Sequence, residues 1–564
     1  MKFLISLALL LPAVLAIGQD DIVKDLPGLL FKPNFQTYSG YLDAGQNGDW
    51  QMHYWLFESR NDKNKDPILV WLNGGPGCSS VAGMFEELGP FYVTFDGQNL
   101  FENVHSWNAR ANVLAIESPI GVGFSYNRAE ANYSVANDDQ TADQNYNALK
   151  DFFGRVQKTY GDREFYLAGE SYAGIYIPTL SKKIVDGIAS KDFPNVNFRG
   201  AAIGNGFMDV PKLMNSLVLW GNYHGRMSVE DWDTVKSLCG TGGQDVEKYD
   251  FTKYFVSENG MDYVSDGSLC GNLTAPMLVL DDNMDQYNFY QDCYAGTSIV
   301  LPNVGRGASG IKRRRVKRGA TAWKIVNSEN PANDLWQDST DTQLGYPCWN
   351  EDAVTFYLNR EDVQKALNIP QEWRDTEQKT WVDCNDPIYN DYHLTYTTTY
   401  EFFNYVLRNY DQQFRFLIFN GDVDTVCNFL GDAWLMNDVA NYNNMVHNAR
   451  QQWYFRNQSA GYSQNYMSKD GSKTIDVVTV KGAGHFVPND RPGPSAQMIT
   501  NFMFTPKSAN GQINYSDASF VDPTPVPLPL VNEVPPTVPT IDTTTTSATT
   551  VSLFSALLIV AGAL

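Results

Sequence analysis

The apolar run at residues 165–168 breaks into Gly169-Glu170-Ser171-Tyr172-Ala173-Gly174, and few backbones can make that junction. Small residues at 169 and 173 leave room for a strand to turn sharply into a helix, with Ser171 projecting at the apex. An ordinary helix N-cap serine would fit the same letters, so the rest of the chain has to decide. Four more apolar runs, at 68–72, 113–116, 414–419 and 475–480, also end in glycine or polar turns. Helix-length segments, such as 138–160 and the one after Ala173, lie between them. Strands that alternate with helices predict a mostly parallel, doubly wound sheet.

Two of those runs deliver further chemistry. Asn420-Gly421-Asp422-Val423-Asp424 follows the run ending at 419, and Lys481-Gly482-Ala483-Gly484-His485 follows the one ending at 480. Serine, acid and histidine in that order, each just past a strand, are the order of an α/β-hydrolase. His485 is then the base for the Ser171 hydroxyl as it attacks a carbonyl, and Asp424 fixes the imidazole tautomer. Asp422 is the rival acid; the position after Gly-Asp-x suits the role better, which favours Asp424. Upstream, Trp71-Leu72-Asn73-Gly74-Gly75-Pro76-Gly77-Cys78-Ser79-Ser80 follows a strand where this fold supplies half of its oxyanion hole. A phosphate-binding loop is the other reading of such glycines, but no Gly-Lys-Ser/Thr ending is present.

The expected fold is therefore α/β, an α/β-hydrolase in two parts, residues 17–206 and 349–507. Residues 207–348 lose the clean alternation and read as an inserted cap domain, placed to shape the mouth of a site at the strands' carboxyl ends. Within the cap, residues 305–319 form a glycine-flanked basic loop whose Arg315-Val316-Lys317-Arg318 has the spacing of a proprotein convertase site, with cleavage after Arg318; a solvated loop is the plainer reading.

Residues 1–16 read as a signal peptide. Pro- and Thr-rich residues 508–550 read as a disordered stalk, and 551–564 form an apolar tail. Fourteen residues of helix cover about 21 Å against a bilayer core of ~30 Å. That form suits a glycolipid-anchor signal as well as a tail lost to proteolysis. A lysosomal or extracellular destination, with or without a membrane anchor, follows from the secretory route.

Sequons at Asn132, Asn272, Asn457 and Asn514 agree with that route. The seven cysteines have no C-x-x-C pair, which argues for disulfides over a metal site; spacing alone does not give the connectivity. A net charge of −22 argues against nucleic acid as a partner.

With these residues assembled, the chain resembles the serine carboxypeptidase family over residues 25–504. The match rests on the stretch from Trp71 to Ser80, Glu87-Leu88-Gly89-Pro90, residues 118–126, 169–178, Gly204-Asn205-Gly206, 421–431 and 482–488. The resemblance implies release of single C-terminal amino acids from peptides at acidic pH through an acyl-enzyme, with no cofactor. It assigns the oxyanion-hole amides to Gly75 and Tyr172, and the substrate carboxylate to Asn73, Gly74, Glu87 and Glu170. On chemistry alone Glu87 reads as a surface helix carboxylate. The family pattern pairs Cys78 with Cys384, Cys239 with Cys270 and Cys293 with Cys348, and leaves Cys427 as a free thiol that would make the protein sensitive to mercurials. An acyltransferase or lyase on the same scaffold, and a partner-stabilising binding protein, are the rival functions. A homodimer is compatible with the sequence, which does not fix the oligomeric state.

Overall fold

A computed structural model describes residues 20–94, 97–130, 133–134, 136–240, 244–257, 263–278, 285–290, 350–376, 380–505 and 512–531. The expected signal peptide, Asn132, Cys293, Cys348, Arg318 with its basic loop, and the terminal tail lie outside the described residues.

The five apolar runs form the heart of a 13-stranded sheet. In chain order its principal strands are β1 (Thr37–Asp43), β2 (Trp50–Phe57), β3 (Ile68–Leu72), β4 (Asn112–Ile116), β5 (Phe165–Ser171), β6 (Phe198–Gly206), β7 (Phe414–Gly421), β8 (Gln458–Met467) and β9 (Lys473–Val480). Across the sheet they lie in the order β1-β2-β4-β3-β5-β6-β7-β9-β8. The strands from β4 to β9 in that order are parallel, while β1, β2 and β8 pair antiparallel at the two flanks.

Strand side chains alternate between faces, and here both faces are apolar. Ile68, Val70, Leu167, Phe416, Ile418 and Val477 enter one core together with helices α2 (Asp138–Asp151), α3 (Ala173–Ala189), α6 (Tyr400–Asn409) and α7 (Phe429–Tyr442). Leu69, Trp71, Ala168, Leu417, Phe419 and Val478 enter the other, with α1 (Ser80–Glu86) and α8 (Pro492–Phe504). Burial on both sides is why these strands read as continuous apolar runs rather than as alternating ones.

Most of the regular structure described between residues 207 and 278, where the cap is expected, is helical. Asp209 caps α4 (Val210–Tyr223) and Ser228 caps α5 (Val229–Leu238), each accepting from a backbone N–H two or three residues inside its helix. A small apolar cluster and the Cys239–Cys270 disulfide hold this part together. Cys78 is bonded to Cys384, and Cys427 is a buried free thiol.

The expected stalk is corrected over residues 512–531, which pack on the catalytic core. Tyr515 is buried and its carbonyl accepts from the side chains of Gln497 and Asn501. Further on, Leu530 pairs with Phe31, and the Leu528 N–H donates to Glu102 at 2.6 Å. Prolines here supply extended backbone whose carbonyls reach the core, as at Pro529 with Lys32 N–H. Asn272, Asn457 and Asn514 are all exposed. Among the described residues no helix is long and apolar enough to cross a membrane.

Candidate active site

Ser171 stands at the carboxyl end of β5 with φ of +60°, a left-handed conformation that a serine adopts only when its surroundings impose it. Neighbouring backbone imposes it. A Cβ at Gly169 would lie 2.4 Å from the Leu72 carbonyl, and one at Gly74 would lie 2.4 Å from the Tyr172 nitrogen. Helix α3 starts at once, and Phe207 N–H donates to the Ser171 carbonyl at 2.8 Å. The Ser171 hydroxyl makes no hydrogen bond to a described residue.

The expected acid and base, Asp424 and His485, stand just past two other parallel strands, β7 and β9. Asp424, in the turn after β7, accepts from His485 Nδ1 at 2.8 Å, and both side chains are buried. Three more donors hold the carboxylate: Asn205 Nδ2 at 2.8 Å, Cys427 N–H at 3.0 Å and Val426 N–H at 2.8 Å. Asp422 is turned elsewhere, accepting from Gly482 N–H at 2.7 Å. Asn205 carried no assigned role in the sequence, although Gly204-Asn205-Gly206 was visible there. A short segment, residues 285–290, also reaches this site. Tyr287 accepts from His485 N–H at 2.6 Å and lays its ring 4.9 Å from the imidazole, while Phe289 N–H donates to Val423.

The carboxylate set converges below the serine. Trp71 Nε1 donates to Asn73 Oδ1 at 2.6 Å, which turns Asn73 Nδ2 toward Glu87 Oε1 at 2.9 Å and Glu170 Oε1 at 3.1 Å. Both glutamates are buried, and among the described residues Oε2 of each has no donor. Burial lifts Glu87 to about 7, against the opposing pull of its bonds to Glu170 and Asn73. Glu170 rises well above the carboxyl range, through burial first and then the charge of Glu87. Gly75 and Tyr172 present backbone N–H groups that donate to no described residue. The Tyr172 ring is fixed by its hydroxyl, which donates to Asp138 at 2.8 Å.

Two more buried acids share this character: burial takes Asp432, beside the Asp424 loop, to about 8 and Asp476 on β9 to about 7. Carboxyls whose folded pKa is raised bind protons more tightly in the native state than in the unfolded chain. Their contribution to stability is full below about pH 4 and is lost as pH rises through about 7 to 8. The net charge of −22 acts in the same direction. The melting temperature should therefore be higher at about pH 5 than at about pH 8, and calorimetry showing the reverse would contradict these assignments.

A family model described as serine carboxypeptidase matches residues 27–505. The chain is 50% identical over 546 residues to serine carboxypeptidase ctsa-3.1 of Caenorhabditis elegans, covering 93% of this chain and 94% of that protein. It is 34% identical to the lysosomal protective protein of Mus musculus, covering 86% and 94%. A prohormone-processing carboxypeptidase from Saccharomyces cerevisiae superposes with a TM-score of 0.59 at 19% identity, over 88% of this chain and 99% of that one. That last likeness speaks to the fold.

Proposed function

The chain belongs to the serine carboxypeptidase family, an α/β-hydrolase lineage, and from that premise we propose how its own residues release a C-terminal amino acid. The observation that carries the reading is Asn73 Nδ2 lodged between two buried glutamate side chains beside the Ser171 turn.

A peptide's terminal carboxylate binds Asn73, the Gly74 backbone, and the protons of Glu87 and Glu170. Anchored there, the last peptide bond lies over Ser171, and its carbonyl oxygen points to the Gly75 and Tyr172 amides. Asp424 fixes the proton on His485 Nδ1, so Nε2 takes the Ser171 proton as Oγ bonds to the carbonyl carbon. The two amides stabilise the oxyanion. Collapse breaks the C–N bond, His485 passes its proton to the leaving amine, and water then hydrolyses the acyl-serine by the same route. The intact triad with its carboxylate-binding set favours hydrolysis over acyl transfer, lyase chemistry or a purely binding role.

Ionisation of the glutamate pair puts negative charge against the substrate carboxylate. KM should therefore rise above about pH 7, where Glu87 loses its proton. Replacing both residues, Glu87→Gln with Glu170→Gln, keeps donors that do not titrate and should flatten that alkaline rise. An unchanged KM profile in the double variant would remove the pair from carboxylate recognition.

The signal-like residues 1–16 and the lysosomal relative support passage through the secretory pathway. Cleavage after Arg318 would give a two-chain form, which an Arg318→Ala chain should not yield. Release of the protein from cells by a phosphoinositide-specific phospholipase is the test for an anchor made from the tail.

A further inference from the structure

The motif at residues 118–126 takes no part in the chemistry above, yet Glu117, the residue just before it, sits at the centre of a buried network. Glu117 ends the loop side of β4 and is fully buried. Its Oε1 accepts from the Ser79 hydroxyl and from Trp381 Nε1 at 2.9 Å, and its Oε2 accepts from Phe124 N–H at 2.7 Å and lies 2.8 Å from His53 Nδ1. A carboxylate has about four lone-pair positions, and here every one faces a partner. Gly123 allows this closeness, because a Cβ there would stand 1.8 Å from Glu117 Oε1.

Proton positions follow from the bonding. Ser79, Trp381 and Phe124 all donate to Glu117, and three such bonds favour the carboxylate over the carboxyl, which places the proton of the fourth contact on His53 Nδ1. On the other side, Ser39 spends its single hydroxyl proton on the Leu367 carbonyl at 2.7 Å. Toward His53 Nε2, at 2.9 Å, Ser39 can therefore only accept. Both ring nitrogens then bear hydrogen, so His53 is an imidazolium paired with a Glu117 carboxylate, and neither side chain is exposed to solvent.

The network points at the loop that precedes α1. Ser79 donates to Glu117, caps α1 by accepting from Val81 N–H at 3.1 Å, and donates its own N–H to Asp383. Cys78 is bonded to Cys384, three residues beyond Trp381. Residues 78 and 79 are thus tied on two sides, three and four residues after Gly75. We propose that the Glu117–His53 ion pair is a positioning device for the oxyanion loop, holding the Gly75 amide where the developing charge needs it without touching substrate. This rests on Gly75 being an oxyanion donor.

The test compares wild type, Glu117→Gln, Ser79→Ala and Ser171→Ala. Glu117→Gln presents an amide N–H to sites that are all donors, and Ser79→Ala cuts the direct bond to the loop while leaving the ion pair. Each should lower kcat on the order of 10²-fold, as for a displaced oxyanion donor, with KM changed by less than about threefold. Inhibition by a peptide aldehyde, whose hemiacetal oxygen occupies the hole, should weaken by the same factor as kcat/KM, while affinity for the released amino acid stays constant. In the wild type, nitrogen-15 NMR should show both His53 ring nitrogens protonated, with the ring assigned through contacts to Tyr41 and Phe124.

A bare ring nitrogen on His53 would overturn the ion pair. Ser79→Ala with kcat within about threefold of wild type, or with aldehyde and product affinities falling together, would overturn the positioning role. Should Glu117→Gln fail to fold, Ser79→Ala and the wild-type spectrum still decide. Full activity in Ser171→Ala would instead reject the active site itself.

Discussion

Ser171→Ala should lose about 10⁶-fold in kcat, the scale set by removing a nucleophile from a unit in which serine, histidine and acid act together. The variant should remain folded. The Ser171 hydroxyl makes no hydrogen bond to a described residue, so its removal leaves no buried partner unpaired. The strained φ of +60° is set by backbone contacts at Gly74, Gly169 and Phe207 rather than by the side chain. KM for a blocked dipeptide should stay near wild type, because Asn73, Glu87 and Glu170 are untouched. Release within tenfold of wild type would mean that another group attacks the peptide bond.

Asp424→Asn should cost about 10⁴-fold in kcat, and the structure says why so conservative a change is so damaging. Asp424 Oδ2 collects Asn205 Nδ2, Cys427 N–H and His485 Nδ1. An asparagine either faces its NH₂ toward these donors or turns it toward Val426 N–H, which donates to Oδ1. In the first case His485 takes the wrong tautomer. In the second it keeps the tautomer but loses the charge that stabilises the imidazolium. Asp422→Asn disturbs only the Gly482 bond and should change kcat by less than about tenfold. Equal losses in the two variants would reject the choice of Asp424.

The five central strands were legible in the sequence, because both of their faces are apolar. β6 was harder to see. Its Phe198-Arg199-Gly200-Ala201-Ala202-Ile203-Gly204-Asn205-Gly206 reads as a poor strand by its glycines, yet a Cβ at Gly200 would meet the Arg415 carbonyl at 2.7 Å.

Asn205 lies at φ of +39° and reaches Asp424 across 219 positions of sequence, a contact that no local pattern announces. The burial of Glu87 against Asn73 had no signal in its own stretch of sequence. The residue ends a short helix, where a carboxylate is usually solvated, and only the sheet stacked beneath α1 buries it at 3% exposure. Residues 512–531 were misread for the opposite reason: proline suggested a free stalk, while two of the docking partners, Phe31 and Glu102, lie more than four hundred positions away.

The central claim is that a free terminal carboxylate, read by proton-bearing glutamates, places the last peptide bond over Ser171. Its most direct test is release of the terminal residue from a blocked dipeptide and from the same peptide as a C-terminal amide, between about pH 4 and 8. The account predicts rapid release from the free acid on the acidic side, a decline as the pair ionises above about pH 7, and much slower cleavage of the amide at acidic pH. Equal rates for acid and amide at every pH would contradict it.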